Sequence, residues 1–308
     1  RMSVQLLEDR VLPFQVDQLD IRGRVVRLGK SVNEILAAHQ YPTAINNILS
    51  EAMGLTVALA SGLKYDGVFS LQAISEGEKA GPIKALVSDV TSKGGLRGYA
   101  GFDADKLAAL GNVSDSNVET LLGEGRLAFT VDQGRHMQPY QGITALNPGS
   151  LSECAHTYFQ SSEQLDSDFR IAYGQSGVCV VMIQRLPDET GDDDEAQEKW
   201  KHACVMLQSL RDEEMLDASL GLADLPYRLY HDSDVRVYET KEIHHECRCS
   251  EERLVTTLEG FPLPELNDMI EEGGTTVTCH FCSTNYIFSA ERLTEIRDKK
   301  AKIMASKD

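Results

Sequence analysis

The sequence predicts an α+β fold: an N-terminal domain of mixed sheet and helix, a helical linker, and a small C-terminal domain built around cysteines. Three observations lead there. Over residues 1–186, short alternating or apolar segments are separated by glycine-rich turns, and the few helical stretches do not alternate regularly with them, which is the pattern of an α+β sheet domain. Between Asp188 and Asp217, eleven acids face three bases, a net −8, so the composition shifts. Four of the seven cysteines then gather between Cys247 and Cys282. The boundaries that follow are 1–186 for the core, 187–234 for the acidic linker and 235–308 for the last domain.

Residues 14–29 read as a strand-rich opening in which Ile21 to Val26 mix alternation with a glycine. Ser31 stands as the N-cap of a short helix over Val32–His39, and Glu34 three residues on completes a capping box. Thr43 caps a longer helix from Ala44 to about Leu59, where Ile45, Ile48, Leu49, Ala52, Leu55 and Leu59 recur at helical spacing and Gly62 ends the run. Strands follow at Val68–Ile74, Ile83–Val90, Leu96–Gly101, Leu127–Val131 and Tyr140–Ala145. After Pro148-Gly149-Ser150 a second long helix runs from Leu151 to about Ser161. Arg170–Tyr173 and Val178–Leu186 are strands again, the second almost continuously apolar, as a buried central strand is.

The acidic start of the linker suits a helix N-terminus, because carboxylates there oppose the helix dipole. Trp200, Cys204, Leu207 and Leu210 fall on one face of that helix, which has too little apolar content to be stable without a surface to pack on. Leu225 to His231 and a strand at Val235–Tyr238 lead into the last domain. There Glu251–Leu258 and Pro264–Ile270 are helices, Thr275–Phe288 is a hairpin, and Ala290 to about Ile303 is a closing helix.

The cysteines come as Cys247-Arg248-Cys249 and Cys279-His280-Phe281-Cys282. In an extended segment alternate side chains share a face, so Cys247 and Cys249 point the same way. A two-residue gap in a tight turn brings Cys279 and Cys282 to one point. Four thiolates at the corners of a tetrahedron suit Zn²⁺, with Zn–S near ~2.3 Å, and leave no open coordination position, which marks a structural rather than a catalytic site. Thiolates alone do not choose the metal, and an iron–sulfur cluster is the competing occupant. His244, His245 and His280 lie nearby in sequence and are read as surface groups outside the ligand set; Cys154, Cys179 and Cys204 are read as small apolar packing residues. The result is a small zinc-binding domain whose metal supplies stability that its short core lacks, on the order of 10–16 kcal/mol.

Composition narrows the function classes. At 308 residues and 42% hydrophobic content, two or three domains are expected. Glu8, Asp9 and Arg10 leave no apolar segment of signal-peptide length near the start, and no run approaches a membrane span, so a cytoplasmic location away from membranes is expected. An odd, clustered set of cysteines argues against a secreted disulfide framework. The net charge of −18 disfavours nucleic acid as a partner and keeps the chain in solution when apolar surface is exposed. No GxGxxG, GxxxxGK, HExxH or GxSxG occurs, Gly174-Gln175-Ser176-Gly177 missing the last by one residue, and no enzyme is expected.

Cys-x-Cys followed about thirty residues later by Cys-x-x-Cys, and preceded by Tyr227-Arg228-Leu229-Tyr230-His231, resembles the heat shock protein 33 family of redox-regulated bacterial chaperones. Tyr140-Gln141-Gly142, the segment from Tyr158 to Leu165, and Asn285-Tyr286-Ile287-Phe288 support the resemblance, which covers nearly the whole chain. Ser283 departs from it, standing where a glycine or another small turn residue commonly follows the cysteine pair, and Asp192 to Glu195 make the linker unusually acidic.

The resemblance implies a holdase, a chaperone that binds unfolded or partly folded client proteins without ATP and is inactive when reduced and zinc-loaded. It implies Cys247, Cys249, Cys279 and Cys282 as zinc ligands and as the switch. Oxidation by peroxide or hypochlorous acid then releases zinc, forms the disulfides Cys247–Cys249 and Cys279–Cys282, and unfolds the linker and C-terminal domain; a homodimer on activation is part of the same expectation. The Cys279/Cys282 pair closes a turn easily, whereas Cys247 and Cys249 need a bend, so the former is expected to oxidise first. Two alternatives are weighed. A constitutive zinc-dependent module binding protein or RNA needs the metal that the chaperone must lose, and a thiol–disulfide oxidoreductase wants its CxxC opening a helix rather than in a hairpin.

Overall fold

Strands β1 (Arg10–Val16) and β2 (Ile21–Leu28) pair antiparallel, joined by a single 3-10 turn and by Asp20 in the left-handed region at φ 51°. Helix α1 (Lys30–Ala37) follows. It begins earlier than expected, with Gly29 at the N-cap position, and Ser31 lies inside it rather than capping it. The cap comes instead from Asp9: its carboxylate accepts from the Gly29 amide at 2.7 Å, the Ser31 amide at 3.0 Å and the Ser31 hydroxyl at 2.8 Å. A carboxylate held by the preceding strand satisfies the exposed amides of the first turn and opposes the dipole, so no local capping box is needed. In the same way Thr43 is the first residue of helix α2 (Thr43–Ala60) rather than its cap, which is Pro42 with no side-chain hydrogen bond. From Ile48 to Ala60 every residue of α2 is buried, Ser50 and Thr56 among them, whose hydroxyls donate to the carbonyls of Asn46 and Ala52 one turn back.

The computed structural model describes residues 4–113, 117–133, 138, 140–187 and 193–305. After α2 come β3 (Val68–Ala80), β4 (Ile83–Thr91) and β5 (Gly95–Phe102), the short helices α3 (Ala104–Ala109) and α4 (Val118–Leu121), then β6 (Gly123–Asp132) and β7 (Tyr140–Ala145). Helix α5 (Leu151–Tyr158) has the capping box that Ser150 and Glu153 spell, and continues into a wider π-type turn at Phe159–Glu163. Strands β8 (Ser167–Gly174) and β9 (Gly177–Arg185) close the sheet portion.

The linker segment forms α6 (Asp193–Gln208), α7 (Asp212–Met215) and α8 (Asp224–Leu229), followed by three short strands, β10 (Val235–Val237), β11 (Lys241–Glu242) and β12 (His244–His245). Of its acids, Asp188, Glu189 and Asp192 lie outside the described residues. Two six-stranded sheets result. One runs β10-β1-β2-β9-β8, with β11 also on β1; the other runs β12-β5-β4-β3-β6-β7. All pairings are antiparallel except β12 with β5, His244 opposite Gly95.

Helix α2 fills the space between these sheets, and one continuous core joins it to Leu71, Leu86 and Phe129 on one side and to Val26, Val178 and Val180 on the other. The opposite face of the β2/β9 sheet is also apolar. Phe14, Val25, Cys179, Val181 and Ile183 pack there under Ala203, Leu207, Met215, Leu225 and Tyr230 of the linker. Trp200 and Cys204 are half-buried on that face and Leu210 is buried, as the helical spacing predicted.

By its contacts the chain divides into Arg1–Glu246 and Cys247–Asp308. The linker thus belongs to the first compact unit, and that unit extends to Glu246 instead of ending near residue 186 or 234, because β10, β11 and β12 pair with β1 and β5. The second unit holds α9 (Glu251–Glu259), α10 (Leu263–Glu271), the hairpin β13 (Gly274–Thr278) and β14 (Asn285–Ser289), and α11 (Ala290–Ala305). Leu258, Phe288, Leu293 and Ile296 form its buried apolar cluster, and Leu266 is buried as well.

Replacing the remote cap, Asp9→Ala, leaves two buried amides and a hydroxyl unpaired and is expected to lower stability by about 2 kcal/mol. Urea denaturation of the reduced protein checks this, and an unchanged midpoint would show that Asp9 does not hold α1.

Candidate metal centre

Cys247 and Cys249 lie in the segment between β12 and α9. The next residue, Ser250, caps α9 by accepting from the Arg253 amide at 3.3 Å, and the Arg253 guanidinium donates to the Arg248 carbonyl at 2.7 Å. This first pair is therefore tied to the start of a helix. The second pair occupies the turn of the β13–β14 hairpin. There the Cys279 amide donates to the Thr284 carbonyl at 2.9 Å and the Ser283 amide to the Cys279 carbonyl at 2.8 Å, a knuckle that curls both sulfurs inward. Closing it puts Ser283 at φ 59°, which explains why a glycine suits this position.

The four sulfurs all lie within 4.8 Å of one another. Sγ of Cys247 is 3.8 Å from that of Cys279, and Cys249 is 3.5 Å from Cys282. A tetrahedral ion with metal–sulfur bonds of ~2.3 Å has sulfur–sulfur edges of roughly 3.8 Å, so the spacing fits a tetrathiolate site. All four are half-buried free thiols, and among the described residues they are the one group of metal-capable side chains that converges in this way. His244 and His245 face Glu246 and Glu34 at 3.3 and 3.9 Å, and neither they nor His280 joins the group.

Without a cation these thiols compete for protons. Burial pushes Cys247 up to about 12 and raises Cys279. Burial also acts to raise Cys282, but hydrogen bonds with the hydroxyl and backbone of Thr284 and with Cys249 and Cys247 outweigh it and bring that thiol to about 7. The Tyr286 hydroxyl donates to Cys249 Sγ at 3.1 Å, which holds the phenol up near 12. These two sulfur partners carried no role in the sequence reading. The signal was the strand alternation, since Thr284 and Tyr286 share a face with the buried Phe288.

The profile of the family described as Hsp33 protein matches residues 9–289. A 33 kDa chaperonin of Caulobacter vibrioides is 35% identical over 294 residues, covering 91% of this chain and 95% of its own. The chain belongs to the Hsp33 family. Another Hsp33-family relative, the 33 kDa chaperonin of Ectopseudomonas mendocina, is 35% identical over 286 residues, covering 92% and 93%. The crystal structure of an Hsp33 homologue from Thermotoga maritima superposes with a TM-score of 0.77 at 24% identity, covering 96% of this chain and all of the other, which shows the shared fold. The resemblance read from the cysteine spacing and the α+β class are thus shown, and the four clustered cysteines fit the redox-regulated zinc site of an Hsp33 chaperone. Among the described residues no helix is long and apolar enough to cross a membrane.

Ser283→Gly removes the left-handed strain in the knuckle and is expected to stabilise the site by about 1 kcal/mol. Competition with a chromophoric chelator should then show roughly fivefold tighter metal binding by the full chain; weaker binding would mean that the Ser283 side chain itself supports the turn.

Proposed function

We propose that this chain is a redox-regulated, ATP-independent holdase in which Cys247, Cys249, Cys279 and Cys282 hold zinc in the inactive form and pair as Cys247–Cys249 and Cys279–Cys282 in the active one. The observation that carries this reading is the convergence of four sulfurs at tetrahedral spacing in a unit that buries few apolar side chains, Leu258, Leu266, Phe288, Leu293 and Ile296 among the described residues. Bound zinc would supply fold stability to that unit and keep all four sulfurs deprotonated.

Each thiolate pair gives up two electrons as its S–S bond forms, and a peroxide takes them, its O–O bond breaking with two protons to yield two waters. A disulfide sulfur is no longer an anionic ligand, so the site cannot be rebuilt after oxidation. Unfolding then spreads along the chain. One residue, Glu246, separates β12 from Cys247, and β10, β11 and β12 are strands of only two or three residues. Their loss frees the end of the linker.

The surface so uncovered is the outer face of the β2/β9 sheet, with Phe14, Val25, Val181 and Ile183, together with the apolar side of α6. Exposed contiguous apolar surface of this kind binds unfolded or partly folded clients, and it also favours a homodimer of the oxidised form. The functional regions in this reading are a substrate-binding core, an acidic linker cover and a zinc switch; the setting is cytoplasmic, the action is not enzymatic, and nucleic acid is not a partner.

Zinc per chain, followed with a chromophoric chelator during peroxide treatment at mildly denaturing temperature, with client light scattering on the same sample, tests the reading. One zinc leaving as aggregation suppression appears is the expected result; zinc retained by a protein that binds partners only when loaded would establish a constitutive module instead. Peptide mapping after brief oxidation should find Cys279–Cys282 before Cys247–Cys249, and the reverse order would refute the turn-closure argument.

A further inference from the structure

A second site lies far from the cysteines in sequence, where α2 ends and leaves the space between the two sheets unfilled. A cavity of about 320 Å³ opens there. Its walls differ in character. The β3/β6 sheet and α5 side contributes Phe69, Phe129, Tyr158 and Phe159, with ring centroids of neighbouring pairs 5.3 to 6.4 Å apart. The opposite wall is cationic. Arg22 and Arg24 alternate with the outer-face residues of β2, so they share the inner face with Val26 and Leu28 and project into the layer between the sheets.

Neither guanidinium meets a carboxylate among the described residues. Arg22 donates to the neutral Gln184 at 3.2 Å, and Arg24 donates to the carbonyls of Ser61 and Gly23 at 3.4 and 2.8 Å. Two half-buried like charges face the same cavity in a chain of net charge −18, and burial together with the charge of Arg22 lowers the Arg24 pKa. Partial burial of two like charges is costly unless an anion completes it.

The sequence segments Tyr140-Gln141-Gly142 and Tyr158 to Leu165, which the zinc switch leaves without a role, meet at this cavity. Tyr140 and Tyr158 share a hydrogen bond between hydroxyls at 2.5 Å, and both line the wall. Gly142 is where it must be, since a Cβ there would come within 2.1 Å of the Tyr158 hydroxyl. At about 30 Å³ for each water-sized group, the cavity has room for roughly ten non-hydrogen atoms. We propose that this cavity binds a medium-chain carboxylate, its hydrocarbon against the Phe69/Phe129/Phe159 wall and its carboxylate between Arg22 and Arg24.

Octanoate is the probe, added to the reduced full-length chain labelled with ¹³C at methionine methyls, because Met182 lines the cavity. The expected result is a saturable shift of the Met182 methyl, with octanol of the same length binding about tenfold more weakly, since it lacks the charge-assisted bonds. Arg24→Gln is expected to bring octanoate down to the affinity of octanol; because Arg24 also bonds the end of α2, Arg22→Gln provides the same test without that contact. Leu63→Trp, at a partly exposed lining position, should weaken both ligands by filling the cavity. Equal affinity for octanoate and octanol, or no movement at Met182, would overturn the proposal. A Met182 shift that grows with protein concentration in the absence of octanoate would also overturn it, by identifying a second copy of the chain as the occupant.

Discussion

Strand β9 is buried from Gly177 to Gln184 on both faces, and that obliges the sheet around it to be covered twice. Val178, Val180 and Met182 face α2, which is buried on every side from Ile48 onward and cannot leave without exposing the whole interior. Cys179, Val181 and Ile183 face the linker, whose helix α6 is apolar on one side only and leaves Val205 67% exposed on another. The two covers are thus unequal. Arg27 adds to the difference: it is 1% exposed on the linker side of β2, its guanidinium donates to the carbonyls of Leu220 and Glu214, and its Nε has no partner. A cation desolvated against neutral carbonyls makes that contact less favourable than an apolar one of the same area. The inner cover is a core; the outer one is, in the proposed reading, the cover that detaches.

The C-terminal unit works by the opposite economy. Its hairpin, two short helices and α11 bury so few apolar side chains that packing alone leaves the unit marginal. What the sequence provides instead is geometry at the sulfurs, with the Ser250 cap behind one pair and the Cys279–Thr284 knuckle around the other. In the proposed reading a change confined to four atoms decides whether this unit is folded. The terminal strands β10 to β12, each bound at a sheet edge by a few pairs, lie directly before it in the chain.

Local patterns made much of this legible. The helix start at Leu151 after Pro148-Gly149-Ser150, the continuous apolar run of β9, the face of α6 and the cysteine hairpin are encoded within a few residues, and they appear as read. What escaped depends on distant partners. Ser31 has the local sequence of an N-cap, yet Asp9 takes that role because β1 brings it across the helix start. The strands at Lys241–Glu242 and His244–His245 are too short to carry a periodicity of their own, and their pairing with β1 and β5 moves the end of the first unit to Glu246, beyond the strand expected at Val235–Tyr238. The inward direction of Arg22 and Arg24 was hidden for another reason: two arginines alternating with apolar residues read as the solvent side of a strand until α2 is seen to stop short of them.

Selectivity among the seven cysteines follows from the same contrast between apolar burial and clustering. Cys179 lies under the linker and burial pushes its thiol up to about 11; Cys204 is held near 12 by burial and the carboxylates of Asp168 and Asp166, and burial raises Cys154 as well. As neutral thiols they are poor nucleophiles toward an oxidant. Among the clustered sulfurs the protein alone favours Cys282, brought to about 7 by its hydrogen bonds, whereas Cys247 without a cation is as reluctant to ionise as Cys204. A dication shared by all four would remove that reluctance, because coordination displaces the protons. The ion that folds the unit would therefore also be what makes its sulfurs the ones that react, and stability and sensitivity would then rest on a single set of bonds.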